Sequence, residues 1–243
     1  MSVFSCYLCA VQNGFGQHFF RFGGIDSQTV IRILLSAALG TGCVRGGLLW
    51  ARRLLRTRQR EEWLSPSLQI CLTLAAALCG GIMGFFIRGL LPLLAALALL
   101  TIGLTVAVAD GLCRLIPNPT VLAVFAVKVL LAAAALLHLP GAPPVGLLSA
   151  LGGMGFCFVI FSAPGLMGKR VGAGDIKLAA AMGFLLGFSS ALLAMVVMGA
   201  LMFGYSMVQR KMPLLTFLKT DIPMGPFIAA GMMIAWMLPY LPL

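Results

Sequence analysis

Eight apolar stretches run along the chain, separated by short breaks that are polar or rich in glycine and proline. They lie at about 28–50, 66–87, 90–109, 118–139, 145–166, 175–187, 191–208 and 222–241. All but one reach the roughly 17–25 residues that a helix needs to cross a ~30 Å hydrocarbon core. The exception is 175–187, where roughly 13 residues give about 20 Å of helix at about 1.5 Å each. That stretch requires either a locally thinned bilayer or shielding by neighbouring helices. The pattern predicts an all-α, polytopic integral membrane protein of about eight hydrophobic helices, one of them short. Two small-residue spacings, Gly80-x-x-x-Gly84 and Gly183-x-x-x-Gly187, would let other helices approach closely.

The breaks differ in chemistry. Asp110 closes the third stretch and is followed by Gly111-Leu112-Cys113-Arg114-Leu115-Ile116-Pro117-Asn118-Pro119. The prolines stop a continuing helix, and Asn118 and Pro119 suit the cap and first turn of the next one. Gly187-Phe188-Ser189-Ser190 reads as a tight turn, and His138–Pro144 as a turn without fixed charge. Residues 1–26 are aromatic, glycine-containing and polar, and lack the basic n-region of a cleaved signal peptide. The chain divides into 1–65, which holds an N-terminal segment, the first helix and a short basic loop, and 66–243, a transmembrane unit.

Composition agrees with the pattern. The 243 residues are 61% hydrophobic and 9% charged, more apolar than a soluble core of this size needs. The net charge of +11 would suggest nucleic acid in a soluble protein. Here the charges sit between apolar runs, so they set topology and nucleic-acid binding is not expected. Arg52, Arg53, Arg56, Arg58, Arg60, Arg114, Lys169, Arg170, Arg210, Lys211 and Lys219 fall on one side of the alternating spans. Only Arg21 and Arg88 fall on the other, while Arg32, Arg45, Lys128 and Lys177 lie in or at the ends of spans. The positive-inside rule makes the richer side cytoplasmic, and it puts Asp110 and Asp175 on that same face.

Most of the seven cysteines lie in or beside apolar runs, where cysteine behaves as a small hydrophobe. Cys6 and Cys9 form a C-x-x-C, but a structural zinc site needs a second pair or suitably spaced histidines. His18 and His138 are the only histidines, so no metal is expected. A Cys6–Cys9 disulfide remains open if that end is extracytoplasmic.

The acidic residues are Asp26, Glu61, Glu62, Asp110, Asp175 and Asp221. Asp110, Asp175 and Asp221 stand at span ends, where a carboxylate is costly and therefore a candidate for function. Each also has a structural reading. Asp175 can cap the helix it opens, Asp110 can pair with Arg114 at (i, i+4), and Asp221 suits a loop acid. Two aspartates held close share one proton, because both cannot ionise cheaply. One is then a base that activates water, and the other an acid that polarises a peptide carbonyl. Gly172 and Gly174, lacking Cβ atoms, let the backbone turn freely and a substrate strand come close.

Three stretches in this order resemble the type 4 prepilin leader peptidases, a family of polytopic aspartyl proteases. They are Asp110 with Arg114 and Ile116-Pro117-Asn118; Gly172-Ala173-Gly174-Asp175-Ile176-Lys177-Leu178; and Ile222-Pro223-Met224-Gly225-Pro226-Phe227. The resemblance covers roughly 90–235. It implies that Asp110 and Asp175 are catalytic, and that Arg114, Pro117, Asn118, Gly172, Gly174, Lys177, Pro223, Gly225 and Pro226 support them. It implies a peptidase domain over 66–243 in the bacterial inner membrane, with no cofactor. The substrates would be prepilins or pseudopilins, cut on the cytoplasmic side between a basic leader and an apolar helix. Bifunctional members carry two C-x-x-C pairs in a loop after the first span and also methylate the new N-terminus. Here that loop, about 51–65, has no cysteine, so methylation is not expected. A presenilin-like protease of other membrane substrates, or a non-catalytic assembly or transport protein, are the alternative readings.

Overall fold

The computed structural model describes residues 27–56, 64–139, 146–166, 172–208 and 223–241. Among them there are eight α-helices and no strand. These are α1 (Ser27–Arg56), α2 (Pro66–Phe86), α3 (Leu90–Cys113), α4 (Asn118–Leu136), α5 (Leu147–Leu166), α6 (Ala173–Leu186), α7 (Phe188–Val208) and α8 (Gly225–Met237). A 3-10 turn, Leu238–Tyr240, follows α8. Six helices, α1 to α5 and α7, are long and apolar enough to cross a membrane. With α6 and α8 shorter, this is the eight-helix, one-short pattern expected for a multi-pass membrane protein, except that α8 is shortened as well.

Several boundaries move, each for a local reason. α1 does not stop before the arginines but continues through Arg52 and Arg53 to Arg56, because arginine is a good helix former and the membrane edge does not itself end a helix. α2 begins with Ser65 as its N-cap, whose hydroxyl accepts from the Leu68 N–H, and Pro66 follows in the first turn. α3 runs past Asp110 to Cys113, so the aspartate sits inside the last turn rather than at its end. The cap of α4 is Pro117 and not Asn118; the Thr120 hydroxyl closes the first turn on the Pro117 carbonyl at 2.7 Å. The turn expected at 187–190 shrinks to Gly187 alone, whose φ of +79° lets α7 start at Phe188.

α3 is the centre of the bundle. Of its most apolar window 61% is buried, against 17–28% for the other long helices, so those face lipid while α3 is surrounded by protein. Its Leu99, Ile102 and Val106 join the main core with Leu178 and Met182 of α6 and Ile228 and Met232 of α8. Its Val108 joins Val44, Leu48 and Ala51 of α1 and Ala76 of α2. Burial does not drive such packing in lipid, where tails are as apolar as leucine; close fit of small residues does. The Gly80/Gly84 spacing works this way: a Cβ at Gly80 would strike the Ser36 carbonyl of α1, and one at Gly84 the Ser36 side chain. α5 and α6 cross at Gly153 and Gly183, backbone against backbone.

The short α6 is shielded by its neighbours. Leu178, Ala179, Ala180, Ala181, Met182, Gly183 and Leu185 are all buried, and α4, α5, α7 and α8 pack around them. A helix with protein on every side does not need to match the bilayer thickness.

Candidate active site

Four helix ends converge at one end of the bundle: the C-terminus of α3 and the N-termini of α4, α6 and α8. The start of the basic run lies at that end too, since Leu48 and Ala51 pack with Val108, and Thr105 donates to the Gly47 carbonyl at 3.2 Å.

The local chemistry explains each placement. After Cys113 the chain turns through Arg114, a non-glycine residue in the left-handed region at φ 49°, whose N–H donates to the Asp110 carbonyl at 2.8 Å. After this turn, Leu115 and Ile116 line the site. The backbone of 172–174 lies directly against Ile116, because a Cβ at Gly174 would come within 2.9 Å of the Ile116 Cβ. The second glycine of the G-x-G-D stretch is therefore required by contact with the first aspartate's own segment. Lys177 Nζ then donates to Asn118 Oδ1 at 3.5 Å, a long bond that ties α6 to α4.

Asp110 and Asp175 line one cavity of about 290 Å3, with Arg114, Leu115, Ile116, Asn118, Gly172, Ala173, Gly174 and Lys177. The sequence separation of 65 residues between the aspartates is thus closed in space. Asp110 is 5% exposed, and its Oδ2 accepts the Gly225 N–H at 2.8 Å. The Arg114 guanidinium is near enough to attract its charge. Asp175 stands in the first turn of α6, and its Oδ1 is buried with no hydrogen-bond partner among the described residues. Desolvation and then the like charge of Asp110 push Asp175 up from 3.8 to about 6.

The capping expected of Asp175 is not what the structure has. Gly172 is the N-cap of α6, and Asp175 makes no cap bond among the described residues. Three residues inside the helix, its side chain points to the cavity instead. Asp110 does cap a helix, but not a neighbour in sequence: it takes an otherwise unpaired amide at the N-terminus of α8.

Of the supporting residues expected from sequence, Arg114, Asn118, Gly172, Gly174 and Lys177 line the cavity with both aspartates. Pro117 caps α4, Gly225 contacts Asp110, and Pro223 and Pro226 flank Gly225. Leu115, Ile116 and Ala173 line the cavity without having been singled out for it, although the motifs contain them. Asp221, Lys169, Arg170, Cys6, Cys9 and His18 lie outside the described residues.

Both aspartates line one cavity, with Asp110 and the Asp175 Oδ1 buried, and of the two only Asp110 accepts a backbone amide among the described residues. Residues 96–207, which include both aspartates, match the model of the type IV leader peptidase family. No curated protein and no solved structure matches the chain.

Proposed function

From the premise that the stretch 96–207 belongs to the type IV leader peptidase family, we propose that the protein is a prepilin or pseudopilin leader peptidase. Asp110 and Asp175 form its catalytic dyad, and 66–243 is its peptidase domain. The dyad activates a water that attacks the peptide bond between a basic leader and the apolar helix of the precursor. Cleavage takes place at the cytoplasmic surface of the bacterial inner membrane. The single observation that supports this reading best is the sharing of one cavity by the two aspartates.

The charge of the chain bears on how substrate docks. A surface with a net charge of +11 does not attract a basic leader. The precursor docks through its apolar helix, lying among the lipid-facing side chains. Methyl transfer to the new N-terminus is not a function of this chain, whose loop after the first span has no cysteine pairs.

Co-expression with a prepilin tests the reading, scored by mobility shift and N-terminal sequencing. Wild type yields mature pilin, while Asp110→Asn and Asp175→Asn each insert normally and leave the precursor uncut. Full processing by either variant removes the dyad from the mechanism. In a host without another such enzyme, mass spectrometry of the mature pilin is expected to find a free N-terminal amine. A methyl group that depends on this protein would overturn that part.

A further inference from the structure

Pro223, Gly225 and Pro226 lie outside the matched stretch 96–207, yet Gly225 meets the site. The Gly225 N–H donates to Asp110 Oδ2 at 2.8 Å. A Cβ at position 225 would lie 2.9 Å from both Asp110 Cβ and Oδ2 and 3.0 Å from Val106 Cγ1, so only glycine brings the amide this close. Prolines have no N–H, so within Pro223-Met224-Gly225-Pro226 only two amides exist to donate. The positive end of the α8 dipole points at the same carboxylate. Asp175 has the opposite surroundings: its buried Oδ1 has no donor among the described residues.

We propose that the Gly225 N–H is the positioning group that makes the dyad asymmetric, fixing Asp110 as the ionised base and leaving Asp175 as the proton-bearing acid. The inference rests on the peptidase reading above and assigns roles within it. In the first step the water oxygen bonds to the peptide carbonyl carbon. Its proton passes to Asp110, and Asp175 gives its proton to the carbonyl oxygen. In the second, the C–N bond breaks as the leaving nitrogen takes the proton from Asp110. A hydroxyl of the intermediate returns a proton to Asp175, and the resting state is restored.

Among the described residues, the charged groups around the pair are few. Asp175 and Lys177 come from α6 and Arg114 from the end of α3. α5 and α8 carry no charged residue, and α4 carries only Lys128, nearly three turns from Asn118. α1, packed against α3, carries Arg45, Arg52 and Arg53 along this half. Of these, Arg114 also attracts the charge of Asp110, and the hydrogen bond at Oδ2 comes from the Gly225 amide.

Two measurements test the assignment. Isotope-edited infrared spectra of the resting protein with labelled aspartate report which carboxyl is protonated at about pH 5. A carboxylic-acid band that survives in Asp110→Asn and vanishes in Asp175→Asn supports the assignment. The reverse pattern, or the same result in both variants, overturns it. This readout needs no substrate, so it stands apart from failure to cut a prepilin, which would strike the peptidase reading instead. The second measurement is the pH–rate profile of Gly225→Ala. Displacing the amide is expected to lower kcat roughly 10- to 100-fold with KM little changed. The acidic limb moves to higher pH, because the charge on the base has lost its donor. A loss of kcat with an unmoved profile would make Gly225 merely structural and overturn the role given to it.

Discussion

Asp110 and the Asp175 Oδ1 are both buried, and the two residues differ in that Asp110 accepts the Gly225 amide while Asp175 Oδ1 has no donor among the described residues. Asp175, held up to about 6 by desolvation and by the charge of Asp110, keeps its proton under mildly acidic conditions. As pH rises through about 6 that proton is lost and both carboxyls are ionised. kcat/KM is therefore expected to fall on the alkaline side of about 6, as a pH–rate profile will reveal. Stability has a related slope. A carboxyl raised in the folded state binds more protons there than when unfolded, so stability falls as pH rises from 3.8 to about 6. Thermal melts in detergent across that window are expected to show the decline in wild type and a flatter curve in Asp175→Asn. A carboxylate at a span end with a glycine pair before it is visible in the sequence. That Asp110, not Asp175, serves as a helix cap is not, because the amide it takes is 115 residues away.

At the scale of helices, glycine contacts decide which pairs come together. Gly183 lies against the Gly153 carbonyl and Cys157 Sγ, whereas Gly42 on α1 has open space around it. Gly183→Ala must push α5 and α6 apart and is expected to cost roughly 1–3 kcal/mol, as overpacking does. Gly42→Ala is expected to cost nothing or to stabilise slightly. Melting temperatures of the two variants, measured side by side, check this; equal values would mean that the α5–α6 crossing is not tight. The small-xxx-small spacings were legible at 80–84 and 183–187. Their partners were not, because a spacing names one face of one helix and is silent on which helix meets it. The shortness of α6 was legible in the same way, while its shielding came from four neighbours.

For the molecule as a whole, the bundle gathers the G-x-G-D stretch, the Pro117 turn, the entry to α8 and the basic end of α1 at one end. If that end is cytoplasmic, reporter fusions within 57–63 and after Val208 will report a cytoplasmic location, and fusions near Arg88 or in 140–145 an external one. An external reporter at 57–63 would invert the bundle and put the site on the wrong side for a cytoplasmic leader. The hydrophobic pattern alone determined the class and the number of helices and marked three span-end aspartates, because the cost of burying backbone and charge in lipid acts residue by residue along the chain. Of the three, the family resemblance singled out Asp110 and Asp175. The tertiary structure decided that the aspartates share a cavity, that α6 is wrapped by protein, and that α8 supplies an amide to Asp110. Those are contacts between segments far apart in sequence, fixed by how glycine surfaces fit together, and periodicity along one helix carries no record of them.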